Sequence, residues 1–167
     1  PATLAVFVGI FAAMAVLTVH HWSDQALGLR EMRRVTRGRI VILTFDAHFG
    51  GLWLADYIPE IAELDRRQMP DMAEYGRWLG PVRIEPVPIP HDCTAGFLAA
   101  YWRRPAAYLD ERVRSAISSF WMIGDVSPAL ERLERDLASG AWHQRYQALL
   151  EREHCDCGYR LVISEGE

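Results

Sequence analysis

Side chains that could accept or donate protons follow two apolar runs of the sequence. His20 and His21 come directly after the run Ala12–Val19, and Asp46 and His48 follow the next apolar run. In open α/β sheets, ligands bind beyond the carboxyl ends of the strands, which is where these side chains would lie. An imidazole titrates near neutral pH, so His20 or His21 could act as a general base.

These residues also have alternative structural roles. His20 or His21 could cap a helix or pack beneath Trp22 instead of reacting. Asp46 could cap the helix that follows it rather than orient a substrate group.

A second group of reactive side chains lies near the C-terminus, in the segment His154–Cys157 (HCDC). A tetrahedral zinc site needs about four nitrogen or sulfur ligands, and this segment supplies three at most. His91 and Cys93 could complete the set only if the fold brought the two segments together. We therefore predict no metal site and expect exposed residues at the entry to a strand. Three cysteines do not make a disulfide framework, which favours a reducing cytoplasm.

The two apolar runs and the segment between them predict a strand, a helix and a second strand. Ala12–Val19 is a continuous apolar run, as in strands that are buried on both faces. Gln25–Val35 has one apolar side, and Ser23 or Asp24 can cap it as a helix. Arg39–Phe45 is the second buried strand. This spacing predicts parallel strands joined by a right-handed crossover.

The rest of the chain predicts a mostly helical region followed by a last strand. The predicted helices are Leu52–Ile61 (kinked or ended by Pro59), Met72–Leu79, Thr94–Trp102, Ala106–Phe120, Pro128–Ser139 and Trp142–Glu153. Two prolines make Val82–Ile89 an edge strand, and Tyr159–Ser164 is the final strand.

Composition limits the class of protein. The 167 residues are 50% hydrophobic, which is enough for one domain with a core, and the net charge of −4 argues against nucleic-acid binding. Residues 2–19 carry no charge and are long enough to span a membrane, so a small membrane-anchored protein is an alternative. No basic region precedes this run and no signal-peptide cleavage pattern follows it, so we expect no membrane association.

Four ordered segments carry a resemblance to a known family. They are His20-His21-Trp22, Leu29–Val35, Ile40–Asp46 and Trp53–Glu60. Together they resemble the type 11 family of class I S-adenosylmethionine (SAM) dependent methyltransferases, over residues 11–167. The resemblance implies an α/β fold with a Rossmann-like sheet of seven strands. It also implies a helical lid at residues 94–153, inserted before an antiparallel last strand that lies between its neighbours.

The resemblance further implies methyl transfer from SAM to a small molecule. In this reading Leu17 and Thr18 contact SAM, and His20 and His21 are the catalytic candidates. The implied substrate-binding residues are Asp46, His48, Trp53, Tyr57, Tyr101 and Trp102. The aromatic residues, with Phe120 and Trp121, could provide cation–π contacts near the sulfonium, although their helical spacing is also that of an ordinary core.

The sequence departs from the family in its cofactor segment. The family carries an Asp/Glu-x-Gly-x-Gly loop after its first strand, but none of the twelve glycines here forms Gly-x-Gly. We therefore expect a single truncated domain, with a core at 11–93, a lid at 94–153 and a last strand at 154–167. Such a chain would have weak activity or none by itself. Its first strand would expose an edge that could form a homodimer or bind a partner subunit, so an inactive interaction subunit is an alternative function.

Overall fold

The computed structural model describes residues 11–166, which fall into two compact units. Unit 1 consists of residues 11–46, 69–85 and 160–166, and unit 2 of residues 47–68 and 86–159. The segment 94–153, predicted to be a lid, therefore belongs to a unit that also includes residues on both sides of it.

The described residues form strands, α-helices and 3-10 turns. The strands are β1 (Ala13–Val16), β2 (Ile40–Phe45), β3 (Val82–Pro86), β4 (Ile89–Pro90), β5 (His154–Cys155) and β6 (Tyr159–Ser164). The α-helices are α1 (Gln25–Val35), α2 (Pro59–Gln68), α3 (Met72–Leu79), α4 (Glu111–Ser115), α5 (Ser119–Met122), α6 (Ser127–Ser139), α7 (Ala141–Arg145) and α8 (Gln147–Leu150). The 3-10 turns are Val19–His21, Trp53–Asp56 and Pro105–Leu109.

Unit 1 is built on a four-stranded sheet in the order β1-β2-β6-β3. β1 and β2 are parallel, in a register that pairs Ala13 with Ile40 and Val16 with Leu43, which confirms the predicted strand–helix–strand unit. The final strand β6 lies between β2 and β3, and β3 lies at an end of the sheet, both as predicted. The core of the unit consists of Ala15, Val19, Leu29, Ile40, Ile42, Tyr75, Leu79 and Val162.

Helix α1 has the predicted bounds, and its cap is Asp24 rather than Ser23. The Asp24 carboxylate accepts a hydrogen bond of 2.8 Å from the Leu27 amide. Gly28, one turn into the helix, leaves room for the Trp22 ring. A Cβ at this position would lie 2.5 Å from the nearest ring carbon. The helix therefore begins with a tryptophan packed directly onto its backbone.

Unit 2 is mostly helical and is organised around aromatic side chains. The Trp53 ring lies 5.1 Å from Trp142 and 5.7 Å from Tyr108, between ring centroids, in edge-to-face contacts. All three residues are buried. A short antiparallel pair, β4 with β5, joins Ile89 to Cys155 in the same unit.

Several element boundaries differ from the predictions. β1 ends at Val16, and Thr94–Trp102 forms turns instead of a helix. The predicted helix Ala106–Phe120 is divided into a 3-10 turn and the short helices α4 and α5. The helix predicted for Trp142–Glu153 is the shorter pair α7 and α8.

Pro59 also differs from its prediction, because it begins α2 rather than ending a helix. A proline is well tolerated at the first helical position, where its missing N–H has no partner to lose.

Part of the N-terminal apolar run forms a strand. Residues 13–16 form β1, and residues 2–10 of the segment considered as an alternative membrane span lie outside the described residues. Within residues 11–166, none of the helices has the length and apolar character needed to cross a bilayer.

Candidate functional site

The candidate site of unit 1 lies at the carboxyl ends of β1 and β2. Because the two strands are parallel, their carboxyl ends share one edge of the sheet. Leu17, Thr18, His20 and His21 follow β1, and Asp46 follows β2. The other five predicted site residues belong to unit 2 and are described separately below.

Leu17 has an unusual backbone at the end of β1. Its φ angle is +47°, the left-handed region that non-glycine residues seldom occupy. The Leu17 amide still donates to the Leu43 carbonyl at 2.9 Å, so the strand ladder holds the residue in place. The chain then enters the 3-10 turn Val19–His21, which is anchored by the buried Val19. Backbone strain of this kind is concentrated at functional sites.

The two histidines of the turn differ in environment. Their ring centroids are 4.0 Å apart. Burial of the ring, together with the charge of His21, lowers the pKa of His20 to about 4. His20 is therefore neutral at pH 7 but binds protons too weakly to be an effective general base near neutral pH. The side chain of His21 is exposed, which makes it the better candidate for contact with a ligand.

Asp46 has a partner that the sequence did not predict. Its carboxylate lies 3.9 Å from the guanidinium of Arg160, which is only 14% exposed in β6. The capping role considered for Asp46 is wrong, because the N-cap of the next 3-10 turn, Trp53–Asp56, is Leu52. The sequence signal for this ion pair was Arg160 itself, a charged residue within the mostly apolar final strand. Such a residue needs a charge partner when it is half-buried or more.

In unit 2, three of the predicted substrate residues are buried. The Trp53 indole donates to the Trp102 carbonyl at 2.7 Å, and the Trp102 indole donates to the Ile89 carbonyl at 3.1 Å. The Tyr57 hydroxyl donates to Asp136 at 2.6 Å. Burial and this hydrogen bond raise the pKa of Tyr57 to about 12. These bonds satisfy the polar groups that an aromatic core would otherwise leave unpaired.

The remaining two predicted residues of unit 2 are more accessible. His48 is exposed, and Tyr101 is half-buried. The guanidinium of Arg104 lies over the Tyr101 ring, 4.9 Å from its centroid, which is a cation–π distance. The substrate-binding role of these five residues stays a prediction.

A cavity of about 350 Å³ lies within unit 2, and Tyr57 contributes to its wall. Asp56, Glu60 and Asp125 add carboxylates, and Arg132 adds a guanidinium. Arg132 donates to the Tyr57 carbonyl at 2.7 Å and lies over the same ring at 5.1 Å. The volume of the cavity lies at the lower end of the range for small-molecule sites. Among the five unit 2 residues, Tyr57 is the one that contributes to this cavity.

The cysteine-rich segment differs from its prediction. Cys155 and Cys157 are buried rather than exposed. Cys155 pairs with Ile89 in the β4–β5 ladder. In the part of the chain that the structure describes, no three His, Cys, Asp or Glu side chains come together as a metal site would require.

The fold of the chain is similar to that of a solved protein. The structure matches the crystal structure of a candidate methyltransferase from an antibiotic biosynthesis pathway of Anabaena variabilis ATCC 29413. The TM-score is 0.85 at 36% sequence identity, over 92% of this chain and 65% of that chain. This chain has a methyltransferase-like fold. It spans about 65% of the length of the methyltransferase structure that it matches. No protein-family profile matches the sequence, and no curated protein matches it significantly.

Proposed function

We propose that this chain is part of a methyltransferase of the type 11 family, which transfers a methyl group from SAM to a small molecule. The observation that carries the proposal is the match to a methyltransferase structure over 92% of the chain at 36% identity. At that identity the likeness extends from the fold to the sequence. The order of the sheet strands, with the last strand between β2 and β3, agrees with the predicted methyltransferase arrangement.

We propose that the residues after β1 contact one side of a SAM molecule. The strained Leu17 and the following Thr18 place backbone groups at the carboxyl edge of a parallel strand pair, the usual position for a nucleotide-like cofactor. When bound there, SAM supplies an electrophilic methyl group. The Gly-x-Gly loop that would enclose the cofactor's other side does not occur in the 167 residues. We therefore propose that binding of SAM to the chain is weak.

The chain's own chemistry would be to orient the acceptor and to take its proton. We propose His21 as the general base, because its ring is exposed beside the strand ends and the low pKa of His20 makes the latter a poor proton acceptor. Asp46, held by Arg160, would accept a hydrogen bond from the acceptor molecule.

Binding of SAM can be tested with nuclear magnetic resonance of the isotope-labelled chain, since this method detects millimolar dissociation constants. We expect SAM and S-adenosylhomocysteine to shift the amide signals of Leu17, Thr18, His21 and Asp46. ATP is the control, because it shares the adenosine but lacks the sulfonium and the amino acid. The absence of any shift, or the same shifts with ATP, would contradict the proposed cofactor site. Micromolar affinity would contradict the proposal that binding is weak.

The catalytic role of His21 requires a separate test. Methyl transfer from radiolabelled SAM to a panel of small-molecule hydroxyl and amine acceptors should fall by about 100-fold in His21→Ala, the usual contribution of a general base. His20→Ala should retain more activity, because the low pKa of His20 makes it a poor proton acceptor near neutral pH. Equal losses in the two variants would remove His21 from the proposed role.

A second candidate function is the binding of another protein chain. It is favoured by the side chains of Met14 and Val16 on β1, which are 71% and 51% exposed. Large apolar side chains exposed on a strand at a sheet end favour association with another chain.

A further inference from the structure

A cavity of about 520 Å³ lies at the carboxyl end of α1, within unit 1. Its wall is formed by Arg33, Arg34, Thr36 and Arg37. Helix α1 follows the carboxyl end of β1 and leads to the amino end of β2. Because β1 and β2 are parallel, the cavity lies at the opposite edge of the sheet from the candidate site. The proposed methyl transfer therefore does not use these four residues.

Two of the three positive charges in this wall are not balanced by a carboxylate of the described residues. Arg34 is paired with Glu31, at 2.7 Å between nitrogen and oxygen. Arg33 donates instead to neutral acceptors, among them the Gly38 carbonyl at 3.0 Å. Arg37 is exposed, and within residues 11–166 its guanidinium makes no hydrogen bond or ion pair. The cavity is therefore an electropositive site for a negatively charged ligand.

Thr36 contributes a buried hydroxyl to the same wall. The residue is 3% exposed, and its Oγ1 has no hydrogen-bond partner among the described residues. Its backbone amide is used, because it donates to the Met32 carbonyl at 3.1 Å. A buried hydroxyl without a partner costs free energy, so its presence in a folded protein calls for an explanation. Rotation about the Cα–Cβ bond of Thr36 would let the hydroxyl donate to an oxygen of a ligand in the cavity.

We propose that this cavity binds the phosphate group of a small phosphate ester. A phosphate dianion presents acceptor oxygens to the guanidinium groups and to the Thr36 hydroxyl, and its two charges balance those of Arg33 and Arg37. Five arginines lie within residues 30–39, although the whole chain has a net charge of −4. The cavity is larger than a phosphate ion, so it also has room for the organic part of the ligand.

A purely structural role accounts for only part of this arrangement. Arginines in the last turn of a helix interact favourably with its negative end, and this explains Arg33 and Arg34. It does not explain Arg37, which follows the helix, or the unpartnered hydroxyl of Thr36. An anion in the cavity accounts for both.

The site can be tested with inorganic phosphate on the unaltered, isotope-labelled chain. Nuclear magnetic resonance spectra are recorded as phosphate replaces sodium chloride at constant ionic strength. We expect saturable shifts of the amide signals of Thr36, Arg37 and Gly38, while those of Leu17 and Thr18 stay in place. Shifts that do not saturate, or that appear at Leu17 and Thr18 instead, would overturn the proposal.

Glycerol 3-phosphate distinguishes a phosphate ester from the free ion. We expect it to shift the same three amides at an equal or lower concentration, because the cavity has room for the glycerol group. Binding of inorganic phosphate without binding of glycerol 3-phosphate would overturn the assignment of the ligand to the phosphate esters.

A charge variant separates a specific site from a general attraction between charges. Arg37→Gln should weaken the binding of glycerol 3-phosphate by about 10-fold or more, because a charge-assisted hydrogen bond is lost. Arg30→Gln is the matched control, since Arg30 is exposed on α1, carries the same charge and does not line the cavity. An equal loss of affinity in the two variants would show that net charge, rather than the cavity, attracts the anion.

Thr36→Val tests the hydroxyl, because valine has nearly the same shape as threonine. We expect the affinity for glycerol 3-phosphate to fall by about 5-fold, since one hydrogen bond is lost. Without phosphate, the same variant should unfold at a higher temperature than the wild type, because the unpartnered buried hydroxyl is gone. Unchanged affinity in Thr36→Val would remove the hydroxyl from the proposed site.

Discussion

At the scale of single residues, Asp65 is a buried carboxylic acid on α2. Its side chain is 7% exposed, and burial raises its pKa to about 6 from an ordinary value of 3.8. The native state therefore keeps this proton up to about pH 6, while the unfolded chain loses it near pH 4. Between those values the native state binds more protons, so this group makes stability fall as the pH rises. Above pH 6 the protein carries a buried charge at Asp65, whose cost the neighbouring Arg66 reduces in part.

We predict that Asp65→Asn stabilises the protein at pH 8 but not at pH 4. The expected gain is roughly 1–3 kcal/mol in the free energy of unfolding. A pKa raised by about two units corresponds to about 3 kcal/mol, and burying the polar amide of asparagine costs part of that gain. Urea unfolding at the two pH values measures the difference. Glu63→Gln is the matched control, since Glu63 is exposed on the same helix. A gain of the same size at pH 4 would show that Asp65 is not the titrating group.

Residue types alone indicated some site features and missed others. The parallel pairing of β1 with β2, which puts Leu17, Thr18, His20, His21 and Asp46 after neighbouring strand ends, was predicted, and their roles in binding stay a prediction. The left-handed backbone of Leu17 was not, because leucine carries no sequence signal for a positive φ angle. The pairing of Asp46 with Arg160 joins residues more than 100 positions apart, which local patterns do not encode.

At the scale of elements, amphipathic periodicity predicted the parts that pack by their apolar faces. The bounds of α1, α3 and β6 agree with the predicted ones. Periodicity failed for residues 94–120, where turns are held by specific contacts. The Tyr108 hydroxyl donates to the Leu98 carbonyl at 2.6 Å, and Arg104 donates to the carbonyl of Cys93. Such side-chain bonds to distant backbone groups replace the helical ladder and leave no periodic trace.

The contact of Trp22 with Gly28 provides a test at the scale of the helix. Alanine normally stabilises a helix interior by about 1 kcal/mol relative to glycine. Here the new Cβ would meet the Trp22 ring at 2.5 Å, so we predict that Gly28→Ala lowers the free energy of unfolding by about 1–2 kcal/mol. In a Trp22→Ala background the same substitution should raise stability by up to about 1 kcal/mol.

A double-mutant cycle in urea measures the coupling between the two positions. A negligible coupling energy, below about 0.5 kcal/mol, would mean that the ring moves aside without cost and does not pack against the helix. Because Trp22 follows His21 directly, the cycle also reports whether the turn that carries the histidines is anchored on α1.

At the scale of the whole molecule, β1 lies at one end of the sheet formed by the described residues. Its side chains at Met14 and Val16 are exposed, as is the preceding Phe11 at 86%. A strand at a sheet end presents backbone N–H and C=O groups to another strand, and exposed apolar side chains add a hydrophobic gain. A second copy of the chain offers the same edge, so two copies can pair with each other.

We therefore predict that the chain self-associates, in a concentration-dependent way, above its monomer mass of 19.1 kDa. Light scattering after size-exclusion chromatography should show dimers or larger species. Met14→Lys and Val16→Lys should shift the distribution towards monomers, because a charge on the edge strand opposes pairing. Leu27→Lys is the matched control, since Leu27 is 52% exposed on α1, away from the strand. A stable monomer at all concentrations would contradict the prediction, and an equal effect of all three lysines would assign the association to net charge rather than to the β1 edge.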